Sequence, residues 1–267
     1  MQNNIFLLLS SQMQVFLIGL AGLAMGSFTS LFTYRLATKQ PLIFTRSKCT
    51  NCQVSLKAIN LIPLISWFIQ FGKCTKCHAK ISIRYPLIEI SFLAMFLLVY
   101  FILNKEINNK MLLYLAISSM LFAMIIVDLE HYFIPDIMQY ILTIFVGLLV
   151  VFNNDNFSLI NALANGFVYV IFGIGLWLFF YYAGGIEAIG IDDLKFFFIA
   201  GILLGLNNFI AFMMITGIIG AIFGLAWQKI KKDETFPFAP AMCMSTLICL
   251  FFGDLIKISQ WIGKIIF

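Results

Sequence analysis

Residues 156–186 read NFSLINALANGFVYVIFGIGLWLFFYYAGGI, a run without one charged side chain. The hydrocarbon core of a bilayer takes about 20 consecutive apolar residues as a helix, so this stretch is long enough to cross it. Backbone N–H and C=O groups find no water there, and a helix satisfies them all within a single segment. This part of the chain is a membrane helix by composition alone.

The pattern repeats on both sides. Residues 1–34, 111–127, 137–154, 196–228 and 236–253 are also free of charge, and 90–104 adds a further run. Together they predict an all-α polytopic membrane protein of seven or eight transmembrane helices. The whole chain is 62% hydrophobic and 11% charged, against about 25% charged in soluble domains. The weakest span is 196–205, ten residues before a polar turn at 206–208, which needs support from neighbouring helices or continuation into the polar loop to span. The opening MQNNIFLLLSSQM lacks the basic flank and small-residue cleavage site of a secretory signal, so residues 1–34 are expected to stay as the first span.

One polar insert, residues 35–86, interrupts the apolar runs. It carries nine of the seventeen Lys and Arg residues (Arg35, Lys39, Arg46, Lys48, Lys57, Lys73, Lys76, Lys80 and Arg84) and no Asp or Glu. The positive-inside rule places it in the cytoplasm. Alternation then puts 105–110 and 153–158 outside, and 128–136, 184–193 and Lys229, Lys231 and Lys232 inside. The net charge of +5 does not call for nucleic acid, since most of the basic groups sit in one loop beside a membrane, where anionic head groups suffice. Residues 111–267 form the second, transmembrane part. Nothing in the sequence sets an oligomeric state.

Within the insert, Cys49-Thr-Asn-Cys52 and Cys74-Thr-Lys-Cys77 make two CxxC pairs. Four soft ligands on two such knuckles are the pattern of a structural tetrathiolate Zn²⁺ site, and a reducing cytoplasm disfavours disulfides. Lys48, Lys73 and Lys76 would offset the formal charge of the cluster. His78 follows Cys77, but a full set of four cysteine ligands leaves it no vacancy. Cys243 and Cys249 lie in an apolar span and read as small packing residues.

Six of the twelve acidic residues fall in two short segments: Asp128, Glu130 and Asp136 in DLEHYFIPD, and Glu187, Asp192 and Asp193 in EAIGIDDLK. The charge-based topology brings both to one membrane face. Ionisable groups at a bilayer are costly and face a protein interior or an aqueous cavity. Two adjacent carboxylates share one proton, so the ionised member can activate water while the protonated one polarises a carbonyl. That is aspartic-peptidase chemistry. An ion-coupled transporter would use such acids nearer the midplane, and a non-enzymatic zinc-bearing assembly factor would not need the pair. Asp193 is expected to open a helix from Leu194 and to have Lys195 near its charge. Asp136, after Pro135, is expected to cap the next helix.

At this point the chain resembles the prepilin (type IV leader) peptidase family. Gly190-Ile191-Asp192-Asp193-Leu194-Lys195 resembles its GxGDxK signature, with Asp192 in place of the second glycine, and residues 128–136 resemble its first aspartate element. Gly26-Ser27-Phe28 with Arg35, the two CxxC pairs, residues 60–67 (NLIPLISW), residues 84–89 (RYPLIE) and Pro237-Phe238-Ala239-Pro240 match further elements in order. The resemblance implies cleavage of the leader of prepilins and pseudopilins, which carry a basic leader and a hydrophobic helix, at the cytoplasmic face of the inner membrane by Asp128 and Asp193. It also implies N-methylation of the new N-terminus, usually Phe, from S-adenosylmethionine, by an N-terminal half of about 26–110. No glycine-rich fingerprint marks the donor site. Gly26, Ser27, Arg35 and Glu89 are its candidates, with close helix packing and interfacial anchoring as the competing reading. Glu89 is expected either to pair with Arg84 or to face the methylation site, and Glu130, Asp136 and Glu187 are expected to attract basic leader residues.

Overall fold

The computed structural model describes residues 10–38, 40–41, 46–104, 107–152, 159–184, 189–231 and 236–253. Lys39, Lys105, residues 153–158, Glu187 and Lys232, on which part of the sequence reading rests, lie outside the described residues. Among the described residues regular structure is helical, with only two isolated β-bridges. The chain is an all-helical membrane protein. It divides into two compact units, Met1–Met111 and Leu112–Phe267.

The first unit is a helical pair with a small loop fold between its members. Helix α1 (Ser11–Ala37) starts at Ser10, whose hydroxyl accepts the Met13 N–H. It packs along α3 (Arg84–Ile102) in antiparallel register. Tyr100 donates to Gln14 Oε1 at 2.7 Å near one end, and Arg84 donates to Ser30 O and Thr33 Oγ1 at 3.1 and 2.8 Å near the other. Small residues allow the approach: a Cβ on Gly26 would lie 2.8 Å from Glu89 Cα, and one on Gly22 2.9 Å from Phe92 O. In a bilayer, where apolar surface supplies no net drive between helices, such close packing is what holds two spans together. Between them lie a short 3-10 turn (Ala58–Leu61) and helix α2 (Ile65–Ile69).

The second unit contains α4 (Asn109–His131, from Leu112 onward), α5 (Asp136–Phe152), α6 (Leu159–Gly184), α7 (Ile191–Leu204), α8 (Phe209–Lys231) and α9 (Ala239–Phe252). Helices α1, α3, α4, α6 and the stretch Leu206–Ile230, which takes in all of α8 but its last residue, are long and apolar enough to cross a membrane, while α5 and α9 are shorter apolar helices. Among the described residues five helices are thus long enough to span, and α5, α7 and α9 are shorter. At 14 residues, α7 rises about 21 Å, short of the roughly 30 Å hydrocarbon core. Its neighbours resolve the problem: α5, α6 and α9 all pack on it, and half of its residues are buried. Gly201 sets the distance to α6, where a Cβ would meet Asn165 O and Gly166 Cα at 2.8 Å.

The turn after α7 needs a left-handed residue, and Gly205 supplies it at φ 68°. Its carbonyl takes the Tyr169 hydroxyl of α6 at 2.9 Å, and Asn208 Nδ2 donates to Leu204 O at 3.1 Å. The backbone groups freed by the turn are thus satisfied inside the protein, as hydrocarbon surroundings require.

Candidate active site and metal centre

Four helix ends of the second unit meet around the acidic segments. Asp128 lies in the last turn of α4 and is 5% exposed. Its Oδ2 accepts the N–H of Ala239, the first residue of α9, at 2.9 Å. Pro240 suits the first turn of that helix, where no intrahelical N–H is lost, so the Pro237–Pro240 element has a site function: it aims a free N–H at Asp128. Asp193 lies in the first turn of α7, and its Oδ2 accepts the Gly190 N–H at 2.9 Å. This is the reach-back half of a capping box. Asp128 is bonded to the start of α9, which packs on α7, and Asp193 lies in the first turn of α7. The structure therefore brings both carboxylates to one cluster of helix ends, each tethered by one backbone N–H. Cys243, fully buried, follows one turn along α9 from Ala239.

The other acids take different places from those expected. Helix α7 starts at Ile191 rather than Leu194, so Asp192 sits within its first turn and is not among the residues with positive φ. No glycine is needed at that position. Lys195 pairs with Asp136 Oδ1 at 2.6 Å and Asp192 Oδ1 at 2.9 Å, correcting the expectation that it attends Asp193. The cause is helical spacing, since i and i+3 share a face while i and i+2 do not. Asp136 is the first residue of α5 instead of its cap and is used to bind Lys195. Gln139 of α5, 2% exposed, donates to Asp192 O at 3.0 Å, and its Oε1 has no partner among the described residues. Sequence reading passed over Gln139; the signal was an amide in an apolar run. Glu130 lies 3.9 Å from His131 Nε2.

In the first unit, Cys49, Cys52, Cys74 and Cys77 come together with all four sulfurs within 4.8 Å of one another. The two knuckles share one geometry. Cys49 N–H donates to Val54 O and Gln53 N–H to Cys49 O; Cys74 N–H donates to Ala79 O and His78 N–H to Cys74 O. Lys48 bridges Ser55 as Lys73 bridges Lys80. Gln53 and His78 occupy the same left-handed turn position, with φ of 56° and 55°, so His78 is the turn residue of its knuckle. The N–H groups of Cys77 and Lys76 pull the Cys74 thiol down to about 6, which favours the thiolate a metal needs. The cluster can hold a metal ion.

The donor-site candidates lie at the same end of this unit. Gly26 faces the α3 backbone at Glu89. Glu89 is buried, and its carboxylate accepts the Leu64 N–H at 2.8 Å and interacts with the Ser27 side chain, rather than pairing with Arg84. Arg35 is buried near the end of α1. Gly26 thus permits the close helix approach, and Glu89 holds the loop against α3.

The fold and sites define a polytopic helical membrane protein with a paired carboxylate centre and a tetrathiolate loop. Comparison with known proteins makes the class specific. Residues 115–225 match the type IV leader peptidase family and residues 20–103 the bacterial peptidase A24 N-terminal domain. The chain is 31% identical over 276 residues to a prepilin leader peptidase/N-methyltransferase of Legionella pneumophila, covering 92% of this chain and 93% of that protein. Proteins of the same name from Burkholderia pseudomallei and Bacillus subtilis are 29% and 27% identical, with 93% and 87% of this chain covered and 88% and 92% of theirs. No solved structure matches. The chain belongs to the type IV leader peptidase family, and is an enzyme of the leader peptidase and N-methyltransferase class.

Proposed function

We propose that this protein removes the leader of type IV prepilins and pseudopilins at the cytoplasmic face of the bacterial inner membrane and N-methylates the residue it exposes, usually Phe. The observation that carries the reading is that Asp128, bonded to the first residue of α9, and Asp193, in the first turn of α7, stand at neighbouring helix ends of the second unit, each fixed by a backbone N–H. Of two such carboxylates, the ionised one takes the proton of an attacking water while the protonated one hydrogen-bonds the scissile carbonyl oxygen. The Ala239 and Gly190 N–H groups hold the two oxygens in place without protein rearrangement during the reaction. Lys195 binds Asp136 and Asp192, joining the N-termini of α5 and α7, and so keeps Asp193 in register with Asp128. Asp192 belongs to that clamp.

Zn²⁺ is the metal assigned to the four-cysteine cluster. Sulfurs about 2.3 Å from a tetrahedral zinc lie about 3.8 Å apart, and Cys49 Sγ and Cys77 Sγ are 3.8 Å apart. Cys49, Cys52, Cys74 and Cys77 would hold the ion and thereby tie the two knuckles together. S-adenosylmethionine is the methyl donor assigned to the first unit, with Arg35, Ser27, Glu89 and Gly26 at the end of the unit where the loop joins it. Leader cleavage and methylation are separated by incubating the purified protein with a prepilin, with and without S-adenosylmethionine. A shortened product in both reactions and a further methyl group only with the donor supports the reading; an uncut prepilin contradicts it.

A further inference from the structure

The loop fold between the two knuckles leaves its apolar side chains uncovered. Ile59, Ile65, Phe68, Ile69 and Phe71 are each more than half exposed, Phe71 to 86%. They lie on the 3-10 turn, on α2 and, for Phe71, just past the end of α2, in a segment flanked by Lys57 and Lys73. Several large apolar side chains left exposed within one short segment mark a binding surface.

Three observations identify what it binds. The first is depth. The Leu64 N–H is held by Glu89 Oε2 at 2.8 Å, and Glu89 lies five residues past Arg84 in α3, about 7.5 Å along a helix axis. The tip of the loop is thus pinned beside the second turn of a helix long and apolar enough to cross the membrane. Leu64 adopts φ 58°, ψ −55° to make this bond, a conformation costly for a non-glycine residue. The second is charge: residues 35–86 carry nine Lys and Arg and no Asp or Glu, complementary to anionic head groups. The third is residue type. Trp67 donates to Ile81 O at 3.4 Å and stacks edge-on with Phe68 at 5.4 Å, and aromatic rings prefer the head-group level.

We propose that residues 59–71 are an interfacial membrane anchor, whose Ile and Phe side chains enter the acyl boundary of an anionic bilayer while the flanking basic residues bind its head groups. The bilayer surface thereby fixes the loop against the start of α3. An element held beside the first two turns of a spanning helix is placed where interfacial elements lie, at the boundary of head groups and acyl chains.

The test uses the full chain, reconstituted in vesicles of phosphatidylethanolamine and phosphatidylglycerol, with a photoreactive benzoyl-phenylalanine placed in turn at positions 68, 71 and 53. Phe68 and Phe71 are exposed aromatics replaced by a larger aromatic, and Gln53 is an exposed turn residue of the first knuckle. Irradiation is expected to attach phospholipid at 68 and 71 about tenfold more than at 53, and the yield is expected to fall when phosphatidylcholine replaces phosphatidylglycerol. Adducts no more frequent than at 53, or cross-links to another part of this chain or to a second copy, would overturn the proposal. As a second measurement, the pair Phe68→Glu and Phe71→Glu should make the loop at least about fivefold more susceptible to trypsin in vesicles while leaving metal content unchanged; equal susceptibility contradicts it.

Discussion

Asp128 and Asp193 are readable in the sequence because each sits in a short motif, and motifs survive without knowledge of the fold. Their environment is not readable, because it comes from afar: the N–H that holds Asp128 belongs to Ala239, 111 residues on. Lys195 shows the opposite failure. Proximity in sequence suggested Asp193 as its partner, and helical phase gave it to Asp192 and Asp136. On this basis Asp192→Gly should leave leader cleavage within about threefold of the parent, since half-exposed ion pairs contribute little and Asp136 still engages Lys195. A dead Asp192→Gly enzyme in a cleavage assay would make Asp192 itself catalytic. Lys195→Met removes both anchors of the clamp at once, and kcat for cleavage is expected to fall about tenfold or more with KM little changed, whereas Lys195→Arg should recover most of it. Equal kcat in the Met variant would show that the clamp does not position α7.

At the level of elements, charge-free runs located nearly every helix, and boundaries were set by chemistry the runs do not carry. Helix α7 begins at Ile191, ahead of the apolar stretch, because the Gly190 N–H and the Asp193 carboxylate close its first turn. Its shortness was visible in the sequence, and the remedy, burial among α5, α6 and α9, was expected in kind but not in detail. The small residues at helix crossings were legible as packing or as a ligand site, and geometry separates these for Gly26. Gly26→Leu should push α1 from α3 and lower the thermal stability of the detergent-solubilised protein by about 1–3 kcal/mol, the usual cost of overpacking. Gly201→Leu should do the same between α6 and α7 and, unlike Gly26→Leu, should also reduce cleavage, because α7 carries Asp193. Unfolding curves and a cleavage assay on both variants check this; identical effects on cleavage would deny the division of labour.

For the molecule as a whole, the division into Met1–Met111 and Leu112–Phe267 separates the thiolate loop from the carboxylate pair. The sequence foreshadowed that separation through one basic insert among apolar runs. The repeated geometry of the two knuckles is written in the repeated Lys-Cys-Thr-x-Cys of residues 48–52 and 73–77, whereas the left-handed turn that follows each is not, since Gln53 and His78 share only a backbone angle. Metal removal should therefore act on one unit first. Treatment with a strong chelator is expected to abolish methylation while leaving cleavage at no less than about half its rate, because structural thiolate sites couple directly to the folding of their own loop. Parallel loss of both activities would contradict this. The central claim is that Asp128 and Asp193 together cut the leader. It is tested most directly by mass spectrometry of a prepilin N-terminus after incubation with the parent protein and with Asp128→Asn and Asp193→Asn, all in the presence of S-adenosylmethionine. The parent should yield a shortened, methylated N-terminus, and each variant, still folded and membrane-inserted, should leave the leader intact with cleavage reduced at least about a thousandfold. Cleavage by either variant at a rate near the parent's would contradict the assignment of the pair.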